Sequence, residues 1–511
     1  MSDEIDTGMS RIFYSTLLLL ACCAASGAER PTTIINATII SPERSTALVD
    51  AWVRIDDGII SAVGTGVADT AGSQIIDANG GYLVPGLIDS HVHLYHATGL
   101  KRRYTDNFEA LYNAYMQQQP RSFLYFGFTT VIELNADAAT NTRFESAPVH
   151  PNLIHCGQGI VLSDGFMALE LEGEPIDDAY PGYIIDHYSG GRLPEGADVA
   201  KHRPAAAVDY VREHGGRCVK LYYEEALWWP GGAPEFRLPS VQIVQDVVSA
   251  AHAQNMPVVL HATTPGGHQF AMDAGVDILA HGMWEWPGQA FDAPDPSDEY
   301  EQIAWNIAKS GIWLQPTITT IRNTASLFTT ALLDDPEWLN AVPASYLDYL
   351  RSDAQQQRQD FLDKFASQIE SGTAVDDISL LMAAFNTRYE RLISKLKSNG
   401  ASIIFGSDTA VGGFGWGAPP GLAAHWEMRA WARAGISLDT LFYALTLGNA
   451  KAFGIEGVVG SIEVGKRADL LLLAANPLDD VSAYNKIDQV VLGGKRIARS
   501  SLSARALQSV R

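Results

Sequence analysis

Eight short apolar runs of β character, separated by stretches of helical period, fill residues 85 to 455 and constrain this chain more than any other feature. The runs are Leu87–Val92, Thr129–Leu134, Asn152–Cys156, Arg217–Tyr222, Pro257–Ala262, Val276–Ala280, Ile312–Ile318 and Ser402–Gly406. Helix-period segments such as Val241–Gln254, Asp348–Glu370 and Thr387–Ser398 lie between them. Strands that run parallel need long crossovers, which helices supply. Eight such units predict an α/β protein built on a (β/α)8 TIM-like barrel. A doubly wound sheet is the rival, but it calls for a glycine-rich phosphate turn after an early strand, and the sequence has none. Two connections are long, Gly157–Gly216 and Thr319–Ala401. Long βα insertions rim the face of a barrel where active sites form, or serve as oligomer contacts.

The ends of the chain have a different texture. Thr33–Ile40, Ala51–Ile55 and Ile59–Val63 are β-rich and broken by turns at Asp56-Asp57-Gly58 and Gly64. Leu470–Leu473 and Gln489–Leu492 repeat the pattern near the C-terminus, with turns at Gly465-Lys466 and Gly493-Gly494. Residues 29–84 and 456–511 are therefore expected to share a small composite β-sandwich domain, with 85–455 forming the barrel. Ahead of both, Arg11, the apolar run Ile12–Ala25 and Ser26-Gly27-Ala28 follow the order of a secretory signal over residues 1–28. The residues before Met9 are acidic, so translation starting at Met9 is one reading of this end. The apolar run is too short for a permanent membrane span. Export to the periplasm or medium is expected. Leu19-Leu20-Ala21-Cys22 imperfectly matches a lipoprotein box, which leaves a lipid anchor at Cys22 as the alternative.

Cys156 and Cys218 are the cysteines left in the mature chain, and both fall in β-runs, where the expectation is small buried hydrophobes. The formal net charge of -23 repels phosphate backbones and anionic lipid, so nucleic-acid and membrane-surface partners are not expected. A homo-oligomer acting on a small molecule is.

The polar residues at the ends of the β-runs carry the chemistry. His91 and His93 stand two apart at the end of the first run, where the period of a strand turns both toward one face. Taken alone, a His-x-His pair is a weak sign of metal. Here Lys220 ends the fourth run, His261 the fifth and His281 follows the sixth, while Asp408 follows the eighth. Such residues from five strands at one barrel mouth are the makings of a divalent-metal site.

Pro85-Gly86-Leu87-Ile88-Asp89-Ser90-His91-Val92-His93 resembles the first-strand motif of the amidohydrolase superfamily. Gly127-Phe128-Thr129-Thr130-Val131, the segment Gly275–Gly282, Gly406-Ser407-Asp408 and the segment Gly460–Leu470 are similar to further stretches of that superfamily, and the resemblance covers nearly all of the mature chain. It implies the barrel with its composite β-domain. A lysine at the end of strand four resembles the imidazolonepropionase-like branch that holds binuclear Xaa-Pro dipeptidases and carboxypeptidases. There the lysine is N-carboxylated and bridges two metals, whereas true imidazolonepropionases usually lack it. The resemblance implies one ion on His91, His93, Lys220 and Asp408, and a second on Lys220, His261 and His281. Zinc is the default for such ligands, with manganese and cobalt as alternatives. Asp408 would then take the proton of an attacking water and pass it to a leaving amine. Thr264, three residues after His261, replaces the glutamate of a deaminase pattern.

What reaches the substrate is less specified. Tyr222 or Tyr223, just past Lys220, is a candidate donor to a substrate carboxylate or oxyanion, and His425 is a third candidate contact. Trp228, Trp229, Trp284, Trp286, Phe414 and Trp416 gather at the same ends, suiting a substrate with an apolar or aromatic group. Many relatives carry Gly-Gly-His after strand three, where this chain has Ser163-Asp164-Gly165-Phe166, so their specificity does not transfer. The expected reaction is amide hydrolysis of a dipeptide or N-acyl amino acid. Ester or lactone hydrolysis at the same metals is the first alternative, and a non-catalytic binding protein the distant one.

Overall fold

A computed structural model describes residues 30–508, except 170, 172–173, 228–234, 286–294, 329–330, 365–374 and 411–414. The signal, lipid-anchor and Met9 expectations lie outside the described residues.

Strands from both ends interleave in one sheet. β1 (Thr32–Ile39), β2 (Leu48–Asp56), β3 (Ile59–Thr65), β4 (Gln74–Asp77) and β5 (Tyr82–Pro85) come from the N-terminal side, and three more strands from the C-terminal side. Across the sheet the order is C-terminal Lys495–Ala498, Ile487–Leu492 and Leu470–Leu473, then β5, β1, β2 and β3, with β4 beside β1. Leu470 and Leu472 join Ile34, Val53, Ile60 and Leu83 in a core of their own, while Leu471 and Leu473 pack into the main core. Both faces of that strand are covered, which explains its unbroken run of leucines.

All eight barrel strands form: β6 (Leu87–Val92), β7 (Phe128–Glu133), β8 (Asn152–His155), β9 (Val219–Tyr222), β10 (Val258–His261), β11 (Ile278–Ala280), β12 (Trp313–Gln315) and β13 (Ser402–Ile403). They pair in parallel within two ladders, β6-β7-β8 and β9-β10-β11-β12-β13. β6 and β7 are buried along their full lengths, as strands covered on both faces must be. The seventh run was expected to reach Ile318, but it stops at Gln315. Pro316 has no N–H to donate, Thr317 adopts φ 49°, and Ile318 opens a helix instead. Side chains cap several crossover helices, Ser240 accepting from the Ile243 amide and Thr264 from the Gly267 amide.

Closing the barrel requires two seams between the ladders. At the β13/β6 seam, Asn449 donates to the carbonyls of Ile88 and Phe405, 2.8 Å each, and accepts from the Phe405 amide at 3.1 Å. The Asp408 amide then donates to the His91 carbonyl at 2.8 Å, bringing the end of strand eight against the His-x-His segment. Gly406 lies so close to β6 that a Cβ there would stand 2.7 Å from the His91 Cβ.

The β8/β9 seam corrects the cysteine expectation. Cys156 and Cys218 are bonded in a disulfide, with Cα atoms 4.4 Å apart. Both are indeed fully buried, but the fold brings the ends of strands 62 residues apart into contact, which spacing along the chain does not reveal.

Candidate metal centre

The C-terminal ends of the strands converge on one buried pocket, where His91, His93 and Asp408 each offer a ligand atom within 4.8 Å of one another. The Asp408 carboxylate stands 3.3 Å from His91 Nε2 and 3.1 Å from His93 Nε2. The His281 ring lies 5.0 Å from that of His91 and 4.7 Å from that of His261. Lys220, buried on β9, feels the same group, since its charge bears on His91, His261 and His281. All six residues read from the strand ends are thus brought together. His281 and Asp408 adopt φ values of 78° and 55°, a conformation that non-glycine residues rarely take and that clusters at functional sites.

Electrostatics in the pocket follow from burial. Burial and the Lys220 charge hold His91 well below the usual imidazole range, and burial likewise holds His281 far down and His261 at about 3. Neutral imidazoles are what a metal requires. Burial also works against a charge on His93, but Asp408 and Glu133 beside it outweigh that and lift it to about 9. Burial brings Lys220 down to about 7, against the pull of Asp408 and Glu133.

Four of the six prospective ligands have a polar partner behind them. Glu133, fully buried at the end of β7, accepts from the amides of Leu94 and Asn135 and stands 3.5 Å from His93 Nδ1. Glu224 holds His261 Nε2 at 2.7 Å, and Thr317 Oγ1 holds His281 Nδ1 at 2.7 Å. Thr320 donates to Asp408 Oδ2 at 3.0 Å. The turn at Thr317 and the start of the helix that carries Thr320 are fixed by the buried Glu427 carboxylate, which accepts from the amides of Ile318 and Thr319. Glu285, bonded to Thr263 and to the Leu227 amide, adjoins Glu224, and burial raises both carboxyls, to about 8 and about 7.

The donor set fits divalent metal. Nδ1 and Nε2 of His91 and Nδ1 of His93 are buried with no hydrogen-bond partner, although buried polar atoms are almost always satisfied. Unpartnered nitrogens beside the Asp408 carboxylate, with His261 and His281 held by hydrogen bonds on one ring nitrogen each, suit imidazoles that would take a metal.

The substrate contacts read from sequence divide. Tyr222 faces the pocket, its ring 5.6 Å from Lys220 Nζ and 5.9 Å from the His261 ring. Tyr223, one residue on, faces the other way and packs at 4.5 Å on Phe270 of the crossover helix. His425 is also excluded. It lies in the helix Leu422–Arg433, bonds the Phe126 carbonyl at 2.9 Å and meets Phe128 at the opposite end of the barrel. Its place after strand eight was read as nearness to the mouth, but the helix carries it down the outside.

Of the expected aromatic rim, Trp284 lies 4.6 Å from the His281 ring, whereas Trp416 is wholly buried in packing. Trp228, Trp229, Trp286 and Phe414 lie outside the described residues. Two groups were missed. Glu133 could have been found as the lone acid ending a β-run. Tyr95 and Tyr180 adjoin Tyr222 closely enough that each phenol opposes its ionisation, and no spacing signalled that meeting.

Residues 82–497 match the sequence model described as the amidohydrolase family. A dihydroorotase from Trichlorobacter lovleyi is 52% identical over 42 residues, 8% of this chain and 10% of that protein. That match therefore spans about a tenth of the relative's length. In fold, the chain is similar to a crystal structure of a Xaa-Pro dipeptidase with bound methionine, with a TM-score of 0.63 and 21% identity over 92% of this chain and 100% of that one. A prolidase complexed with N-methylphosphonate-L-proline gives a TM-score of 0.62 at 19% identity, again covering 92% and 100%.

Proposed function

The chain belongs to the amidohydrolase family, and from that premise we propose that it is an exported, binuclear metal-dependent hydrolase of amide bonds in dipeptides or N-acyl amino acids. The observation that carries this reading is the convergence of His91, His93, His261, His281, Lys220 and Asp408, with His91 nitrogens left without hydrogen-bond partners. The dipeptide part rests on the likeness to the Xaa-Pro dipeptidase and prolidase structures.

One ion would sit on His91, His93, Lys220 and Asp408, and the other on Lys220, His261 and His281. Zinc suits these donors. With burial bringing its pKa to about 7, a substantial fraction of Lys220 is free amine near neutral pH, the form that would add to CO2, releasing a proton, to give a carbamate able to ligate metal. Two such ions would supply a water acidic enough to attack near neutral pH and polarisation of the carbonyl.

The chain's own residues do the rest. Asp408, with Oδ2 held by Thr320, accepts the proton of the attacking water and delivers it to the nitrogen as the C–N bond breaks. Tyr222 stands beside Lys220, where a phenol can donate to the oxygen of the attacked carbonyl. Trp284 offers an apolar wall next to His281. The barrel is taken as residues 85–455 and the small domain as 29–84 with 456–511. Export over residues 1–28 is supported by the Cys156–Cys218 disulfide, because such bonds persist in oxidising compartments.

The test is zinc content together with hydrolysis of a panel of dipeptides, N-acyl amino acids and lactones. Hydrolysis of the amides with bound zinc, lost on His91→Ala, is expected. A protein that binds no divalent metal, or that cleaves only lactones, contradicts the reading.

A further inference from the structure

The barrel is laddered everywhere except at its two seams, and the β8/β9 seam runs along the strand that carries Lys220. There the Arg217 amide donates to the His155 carbonyl at 2.8 Å and the Ile160 amide to the Lys220 carbonyl at 2.9 Å, without a ladder. On its other edge β9 is fully paired, Val219 to Val258, Lys220 to Val259 and Tyr222 to His261. Lys220 is therefore fixed on one side by a sheet and on the other by a seam. Lys220 Nζ has no hydrogen bond or ion pair among the described residues and meets only the Tyr222 ring, at 5.6 Å, so where its nitrogen can reach depends on where its backbone stands.

Cys156–Cys218 spans this seam. Cys218 stands two residues before Lys220, on the same face of the strand, as Val259 stands two before His261. The cysteines pack with Ile132, Val259, Ile278 and Ile404 in one interior cluster, a layer directly beneath the prospective ligands. Both sulfurs are shut away from solvent. The disulfide is thus a covalent member of the floor beneath the prospective ligands, the only disulfide among the described residues, placed at a seam without a ladder.

We infer that the Cys156–Cys218 disulfide is a positioning element of the metal centre, setting the depth and direction of Lys220 by closing the β8/β9 seam. The inference rests on the proposed binuclear function. A bond that only stabilises the fold would sit as well anywhere in the barrel. One that joins the floor two residues from the bridging lysine also sets where that lysine's nitrogen can reach. Loss of the bond lets β9 shift against β8 while its pairing to β10 stays intact, so Lys220 moves relative to His91 and His93 of the other ladder.

The test compares the full-length chain with Cys156→Ala/Cys218→Ala and with the volume-filling Cys156→Val/Cys218→Ala. Three readouts are taken: zinc affinity by competition with a chromophoric chelator, the carbamate signal from 13C-bicarbonate, and Tm without metal. Expected are a lower Tm, zinc affinity reduced at least tenfold below that Tm, and a weakened carbamate signal. A lower Tm with zinc affinity and carbamate signal within twofold of wild type overturns the inference and leaves the bond purely structural. Should both variants fail to fold, wild-type protein refolded under a phosphine reductant replaces them, with the same outcomes deciding. If the oxidised wild type binds no zinc, the proposed function itself fails. If it binds zinc and the variants bind equally, only this inference does.

Discussion

Glu224 and Thr317 hydrogen-bond one ring nitrogen each of His261 and His281, and Glu133 stands 3.5 Å from Nδ1 of His93, so these three bear on which nitrogen points into the site. Partners of that kind typically affect metal affinity by 10–100-fold. Thr317→Val, which removes the hydroxyl but keeps the volume, is expected to weaken zinc binding by roughly 10-fold or more, as read by chelator competition. Unchanged affinity would mean that His281 is oriented by packing alone. Gly406→Ala tests the other side of the site, because its Cβ would press within 2.7 Å of the His91 Cβ. A loss of zinc stoichiometry with little change in secondary structure is expected, checked by elemental analysis and circular dichroism. The candidate ligands were legible in sequence, since strand period and strand ends decide where His91, His93, Lys220 and His261 point. Their supports were not. Glu133 becomes a partner of His93 only when β7 lies beside β6, and Tyr223 failed as a contact because adjacent strand residues face opposite ways.

Elements rather than single residues decide where His425 ends up, and the helix Leu422–Arg433 buries it against the Phe126 carbonyl. Burial lowers its pKa to about 3, with Arg499 and Arg429 adding to the effect and the Phe126 bond opposing it. The unfolded chain, with an ordinary imidazole near 6.5, binds a proton throughout the window from about 6.5 down to about 3 while the folded chain does not. Stability therefore falls as pH drops through that window. Between pH 6.5 and 4.5, His425→Gln is expected to lose less stability than wild type, by up to about 3 kcal/mol at about 1.4 kcal/mol per pH unit. Parallel urea unfolding at the two pH values measures this, and equal slopes would show that His425 is hydrated in the fold. In the same helix Glu427 caps the segment that begins at Ile318 and so places Thr317 and Thr320. The eight strands were legible because each is an apolar run of the right length. The early end of β12 was hidden, since it depends on a helix borrowing its first amides' partner from Glu427, more than a hundred residues later. The seam disulfide was hidden for a like reason.

At the scale of the whole molecule, the proposed metal centre would join the two ladders of the barrel, with His91 and His93 from one and Lys220, His261 and His281 from the other. Ions bound across that division stabilise the closed barrel by mass action. Removing metal with a chelator is expected to lower Tm by several degrees, and readding zinc to restore it; a chelator-insensitive Tm in a zinc-loaded protein would place the metal elsewhere. The composite sheet was foreseen from the matching texture of the two ends, and the likeness of 92% of the chain to a solved dipeptidase fold agrees with the barrel. Bridging of two ions by Lys220 is tested by zinc counted by elemental analysis on wild type and Lys220→Ala, both purified at saturating zinc and then dialysed. Two ions per chain are expected in wild type, and at most one with hydrolysis abolished in the variant. Two ions and unaltered hydrolysis in Lys220→Ala would contradict it.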